Sequence, residues 1–258
     1  MYKGTYDGDI AEIKFVAKFN SDKNQFKTYL SNFSQYKNLW MVRVTTRQMS
    51  QLSGKKVFTR SDCYLASFNI KLNSLLEEYD YYLCEEILDK KNISYKKVPY
   101  SGISVKLTTS KNFQILKTGP NSFNSLFNSY ELGAGASLFC MRKNELDKNR
   151  DLIEGWRTSI ERMNKYFNKF TKGNQRFYLD QEVCKNIKNY SCAKIKRMIK
   201  DSADLQKKIF NGVGLYDEPY TAFYFYQGSN LNKLTTIPFS VTTGSGRSKG
   251  DYTIVLKP

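Results

Sequence analysis

No histidine occurs anywhere in the 258 residues. That excludes Ser-His-Asp and Cys-His catalysis, histidine-ligated zinc, and the nuclease classes that need a histidine base, such as the ββα-metal and phospholipase-D-like folds. Cysteine is sparse and odd in number. Cys63, Cys84, Cys140, Cys184 and Cys192 contain no C-x-x-C, which favours reduced thiols over a disulfide frame or a zinc knuckle. No window approaches the roughly eighteen consecutive apolar residues of a membrane span. The opening MYKGTYDGDIAEIKFV lacks a signal peptide's basic start, long apolar run and small-residue cleavage site, so a cytoplasmic protein without a membrane partner is expected. The glycine-rich Glu131–Ser137 lacks the G-K-[ST] of a phosphate loop. It is expected to be a close-packing turn, with no nucleotide cofactor.

Acidic residues are the remaining deficit: Asp+Glu number 24 against Lys+Arg 41, a formal net charge of +17. Such an imbalance costs self-repulsion unless a polyanion relieves it, and nucleic acid is the first candidate. Compositional drift toward lysine gives the same number. The 19 tyrosines and 17 phenylalanines suit a β-rich core as well as base stacking. The length suits one large domain or a core with an appended subdomain, with the catalytic core over about 1–145 and a helical and C-terminal β region over about 146–258.

The informative stretch is Ser101–Lys117, SGISVKLTTSKNFQILK. Its period-2 alternation puts Ile103, Val105 and Leu107 on one face of a short strand and Ser104 and Lys106 on the other. A neighbouring strand over Arg60–Leu65 would hold the carboxylate of Asp62 near that lysine. A carboxylate and a lysine so placed can bind Mg²⁺ and steer a water onto a phosphodiester. A lysine on a strand is also commonly a solvated side chain.

The Asp62 and Ser104-Val105-Lys106 pair resembles the PD-(D/E)XK site of type II restriction endonucleases, in which one acid ends a strand and an acid-x-Lys follows on the next. Ser61 stands where proline is usual, and Ser104 where the second acid is expected, so the resemblance is to an atypical subgroup. It implies an α/β fold with a mixed sheet flanked by helices, Mg²⁺ as cofactor, and double-stranded DNA as substrate. It also implies a restriction-modification context with a cognate DNA methyltransferase. On this reading Asp62, Ser104, Lys106 and Glu12 form the catalytic group, and Asp62, the Val105 carbonyl and Glu12 hold the metal. Glu12, on a first helix opened by Gly8-Asp9, compensates for the acid missing at Ser104. Its plain alternative is a solvated glutamate near a helix N-terminus.

Polar residues beyond Lys106 are candidates for DNA contact: Lys111, Asn112, Gln114, Lys117 and Asn121, whose side chains suit phosphates and base edges. A second group is the glycine-rich turn carrying Ser245, Arg247, Ser248 and Lys249 before the last strand. Both also read as ordinary polar loops. Asn73–Asn92 is expected to form an inserted amphipathic helix with Glu77, Glu78, Glu85 and Glu86 on its solvated face. Leu152, Trp156, Ile160, Met163 and Phe167 predict a helix docked on a core, and a lysine-rich helix follows over about 180–210. A two-fold homodimer suits a pseudo-palindromic target, as do monomers cutting successive strands. Two further readings stay open: a strand-nicking repair endonuclease, and a DNA- or RNA-binding protein without catalysis.

Overall fold

The computed structural model describes residues 3–52, 54–57, 59–107, 115–138, 146–234, 239–243 and 254–257. The protein is a mixed α/β structure that divides into two compact units, Met1–Lys111 with Lys207–Ile237, and Asn112–Gln206 with Pro238–Pro258. The division falls earlier than the expected boundary near residue 145. The central sheet of the first unit draws two of its strands from beyond residue 206.

In the first unit, α1 (Lys3–Ser21) and α2 (Lys27–Leu30) precede β1 (Leu39–Arg43), β2 (Gln48–Met49), β3 (Lys56–Val57) and β4 (Cys63–Ser67). Then come α3 (Asn73–Glu78), α4 (Glu85–Lys90), β5 (Lys96–Lys97) and β6 (Ile103–Lys106), with β8 (Tyr224–Gln227) and β9 (Asn230–Lys233) arriving later in the chain. The sheet order is β1-β4-β6-β8-β9, with β5 beside β4. All pairs are antiparallel except β6 and β8, which run parallel with Lys106 opposite Gln227.

Strand alternation sorts the core into two layers. Met41, Cys63, Leu65, Ile103 and Val105 pack with Phe15, Val16 and Phe19 of α1 and with Phe26, Tyr29 and Tyr226. Val42, Tyr64 and Ala66 pack with Leu75, Leu76, Leu83 and Leu88 of the α3–α4 segment. Asn20 finishes the β1 edge: its Nδ2 donates to the Met41 carbonyl at 2.9 Å and its Oδ1 accepts from the Met41 N–H at 2.8 Å.

The first helix starts earlier than expected. Asp9, expected to open it, lies inside it, and Ile13 is 37 % exposed. The buried face is rotated to Phe15, Val16 and Phe19 because Asp9 and Glu12, three residues apart on one face, both meet Arg43. The single helix expected over Asn73–Asn92 is two, separated where Asp80 and Tyr81 take φ of 48° and 63°.

Gly102 sets the spacing between β6 and the segment before β8. Its carbonyl accepts from Phe223 N–H at 2.9 Å, and a Cβ there would lie 1.8 Å from the Thr221 carbonyl oxygen and 2.8 Å from that of Pro219. These are backbone atoms and cannot step aside. Gly102→Ala is expected to cost more than about 3 kcal/mol, read as a fall in the urea midpoint. A midpoint unchanged within error would show that the two segments are free to separate.

The second unit holds β7 (Leu116–Thr118), α5 (Pro120–Phe127), α6 (Tyr130–Ser137), α7 (Lys148–Gly155), α8 (Ile160–Tyr166), α9 (Asn168–Thr171), α10 (Gln181–Asp201), α11 (Ala203–Gln206), β10 (Ser240–Thr243) and β11 (Ile254–Lys257). Its sheet runs β10-β11-β7, all antiparallel. The glycine-rich Glu131–Ser137 packs closely as expected but as helix α6 rather than a turn, with Ser129 accepting from Leu132 N–H at its start. A Cβ on Gly133 would stand 2.2 Å from the Trp156 ring, and one on Gly135 2.6 Å from Phe167. The helix expected through Leu152–Phe167 breaks into α7 and α8 at Arg157, whose φ is 57°. Asp180 caps α10 by accepting from Glu182 and Val183 N–H groups. Its buried face is Cys184, Ile187, Ser191, Ile195 and Ile199, at three- and four-residue spacing. Among the described residues no helix is long and apolar enough to cross a membrane.

Candidate active site

Asp62 is the residue just before β4, and its backbone is held from both sides. Its N–H donates to the Ile103 carbonyl at 2.8 Å, and its carbonyl accepts from Val44 N–H at 3.0 Å. The side chain therefore has a fixed root between β1 and β6. Its Oδ2 accepts from Val105 N–H at 2.6 Å and from Ser104 Oγ at 3.1 Å, and Lys106 Nζ stands 4.0 Å away. Asp62 and Lys106 are each 23 % exposed, wet enough to meet a substrate and dry enough for their charges to matter.

The strand β6 explains the clustering. Ile103 and Val105 sink into the α1 side of the core, which sends Ser104 and Lys106 to the opposite face. The β4–β6 ladder has a single register pair, Cys63 with Ile103. Past it, the Asp62 side chain takes the Val105 N–H that a longer strand would have taken with its backbone.

Glu12 reaches the neighbourhood from α1. Arg43 holds it, with Nε 2.7 Å from Glu12 Oε2 and Nη2 2.7 Å from Asp9 Oδ1. Burial, then repulsion from Asp62, pushes the Glu12 carboxyl up to about 7 against the pull of Arg43. A pKa raised on folding stabilises the protein fully below the ordinary value near 4.5, and that contribution is lost as pH rises through 7. In EDTA the urea midpoint should fall over that window, by up to about 3 kcal/mol, and Glu12→Gln should flatten the profile. A wild-type profile identical to that of Glu12→Gln would refute the assignment.

Comparison with protein-family models, curated proteins and solved structures gives no match. The site is therefore argued from its own geometry. Sequence reasoning names Glu12, Asp62, Ser104, Val105 and Lys106, and all five belong to the first unit. Asp62 gathers Ser104, Val105 and Lys106 around one carboxylate, while Glu12 is linked to Asp62 through the field that raises its pKa.

Of the residues named for DNA contact, Lys117 is exposed on β7, and Asn121 is exposed on α5, where its Oδ1 accepts from Tyr130 OH at 3.4 Å. Both belong to the second unit. Lys111, Asn112, Gln114, Ser245, Arg247, Ser248 and Lys249 lie outside the described residues.

Three residues join the site that the sequence pattern does not single out. Arg43 carried a signal: it shares strand parity with Met41, on the face that α1 covers, and a charge on such a face needs partners. Gln227, opposite Lys106 on β8, donates from Nε2 to the Leu107 carbonyl at 3.1 Å and fixes the end of β6. Arg60 is half-buried and close enough to Asp62 to feel its charge; burial lowers its pKa, and Tyr216 and Asp62 oppose the shift.

Proposed function

We propose that the protein is a Mg²⁺-dependent endonuclease that cleaves double-stranded DNA at specific sites, acting as a variant of the PD-(D/E)XK type II restriction enzymes. The observation that carries the reading is the Asp62 carboxylate bound by Val105 N–H and Ser104 Oγ, with Lys106 Nζ 4.0 Å away on the adjacent strand.

The residues present fit Mg²⁺, a hard cation that takes oxygen donors and keeps several waters. Asp62 offers a carboxylate and Glu12 a second one. The Val105 carbonyl is the backbone oxygen of the residue whose N–H is already on Asp62. Asp62 raises the Glu12 pKa by repulsion, and a cation close to both carboxylates would relieve it. Bound there, Mg²⁺ would supply Lewis-acid charge to the phosphoryl group and its leaving oxygen.

The chain's own groups supply the rest. Lys106 places an ammonium where a phosphoryl oxygen and the attacking water can share it. Ser104 donates to Asp62 Oδ2 and with Val105 N–H fixes the carboxylate's rotation. Glu12, with a pKa near 7, can exchange a proton at neutral pH. Specific recognition and, by the resemblance, a cognate methyltransferase protecting the host sites belong to the same proposal, which is compatible with a homodimer or with monomers cutting successive strands.

The test is incubation of the purified protein with unmethylated plasmid or phage DNA, in Mg²⁺ or in EDTA, followed by a gel. Discrete Mg²⁺-dependent fragments support the reading, and nicked circles without linear product point to a strand-nicking enzyme. Ser104 favours one second reading, because its hydroxyl is spent on Asp62 where a ligating carboxylate is expected. DNA that is bound tightly but left intact in Mg²⁺ would support a nucleic-acid-binding protein without catalysis.

A further inference from the structure

A flank of α10 carries a groove of about 540 Å³ lined by Tyr190, Ala193, Lys194, Arg197, Met198 and Asp201. These six recur at three and four, so they form one stripe beside the helix's buried face, with Met198 bordering it and Arg197 and Asp201 exposed. Its lysine is held in place. Lys194 Nζ donates to Tyr166 OH at 2.9 Å and lies 5.0 Å from the centre of that ring. Beside the groove, Lys169 Nζ sits 3.7 Å over the Tyr190 ring. The hydroxyl bond to Tyr166 raises the pKa of Lys194, keeping it charged.

Among the described residues one carboxylate lines the groove, Asp201, and it meets Arg197 Nε at 3.3 Å with the two side chains 67 % and 84 % exposed. A pair so open to water is worth little and yields readily to a better acceptor. A phosphate is such an acceptor, since it takes the guanidinium fork through two oxygens.

We propose that this groove is a second nucleic-acid contact, built to hold the phosphate backbone of duplex DNA through Lys194, Arg197 and Lys169. The stripe from Tyr190 to Asp201 covers eleven residue steps, about 16 Å of helix. At about 3.4 Å per nucleotide along one strand, that matches roughly five backbone steps. Lysines held by aromatic rings lose less freedom on binding than solvated ones, so the contact costs less ordering entropy. The net charge of +17 supplies the long-range attraction. Duplex DNA as the particular polyanion rests on the nuclease reading, whereas the groove's geometry and charge do not.

The test is the affinity of the full chain for a labelled duplex in EDTA, measured by fluorescence anisotropy over a salt series. Lys194→Ala/Arg197→Ala/Lys169→Ala should bind at least about tenfold more weakly at low salt. Its slope of log K against log salt should be shallower by about two to three, at about 0.9 for each phosphate that the variant leaves unneutralised. Lys194→Arg/Arg197→Lys, which keeps the charges, should retain the wild-type slope and so controls for folding. A triple variant with wild-type affinity and slope overturns the proposal, as does a wild-type protein that binds anionic vesicles but no duplex. The plasmid assay separates this inference from the nuclease reading. A wild-type protein that never cuts, but whose salt slope falls in the triple variant, keeps the groove and removes the endonuclease.

Discussion

On the endonuclease reading, Lys106→Ala is expected to lower the rate of DNA cleavage by at least about a thousandfold while leaving the fold and DNA binding in place. The size follows from removing a preorganised positive charge where negative charge develops on the phosphoryl group, a loss that commonly costs about two to three orders of magnitude or more. The selectivity follows from position. Lys106 is the last residue of β6 and partly exposed, and Asp62 keeps both Val105 N–H and Ser104 Oγ without it. Asp62→Asn should be equally inactive, since its amide oxygen still accepts the Val105 N–H but carries no charge for a metal. Asp62→Ala is the poorer probe, because it strips an acceptor from a buried strand amide. Single-turnover cleavage, circular dichroism and binding in EDTA together decide the matter. Full-rate cutting by Lys106→Ala would remove the site assignment, whatever the protein's activity.

Glu85→Ala should be among the most damaging substitutions in the first unit, at about 3–5 kcal/mol. The Glu85 carboxylate is buried, yet it accepts from Thr45 N–H at 3.1 Å, Thr46 N–H at 3.0 Å, Thr46 Oγ1 at 2.6 Å, Tyr64 OH at 2.9 Å and Tyr220 OH at 2.8 Å. Lys97 Nζ stands 3.9 Å away and also donates to Tyr220 OH. Deleting the acid strips the acceptor from the Thr45 and Thr46 N–H groups and from the Thr46 and Tyr220 hydroxyls in a largely buried place, and leaves Tyr64 OH only a 3.5 Å bond to Tyr95 OH. Burial raises the Glu85 pKa, but the bonds from Thr46, Tyr220 and Tyr64 outweigh it and the net shift is downward. The sign is thus opposite to that of Glu12. Glu85 stabilises the fold above the ordinary carboxylate value and loses that contribution as pH falls through its depressed pKa. Urea denaturation at neutral pH and near pH 3 would read both effects. A loss under about 1 kcal/mol at neutral pH would mean that water already satisfies these groups.

Glu85 also marks where local pattern ceases to inform. Glu85 and Glu86 are identical neighbours, and periodicity puts both on a solvated face; Glu86 is exposed and Glu85 is not. The difference comes from Thr46 and Tyr220, 39 and 135 residues away, which no local periodicity reports. The same reason hides the split of the Asn73–Asn92 helix, whose break is closed by Tyr81 N–H donating to the Leu76 carbonyl in a left-handed turn. By contrast, the alternation of Ile103–Lys106 and its pairing with the Asp62 segment were legible, because burial on one face dictates every second residue. The mixed α/β class was expected from the resemblance, and the antiparallel pairing of β10 with β11 from the glycine-rich stretch between them. What the pattern could not supply was the neighbour on the far side of β6, or Arg43 as the holder of Glu12.

That neighbour carries a consequence for timing. Asp62, Ser104 and Lys106 are all made early, but β6 has one open flank until β8 pairs with it in parallel from Tyr224 to Gln227. A nascent chain that has not reached Gln227 carries every one of those side chains and only part of the sheet that holds them. Because synthesis runs from the N-terminus, completion of the sheet waits on a segment translated more than about a hundred residues after the lysine it flanks. On the endonuclease reading, a chain still on the ribosome would be inert toward DNA.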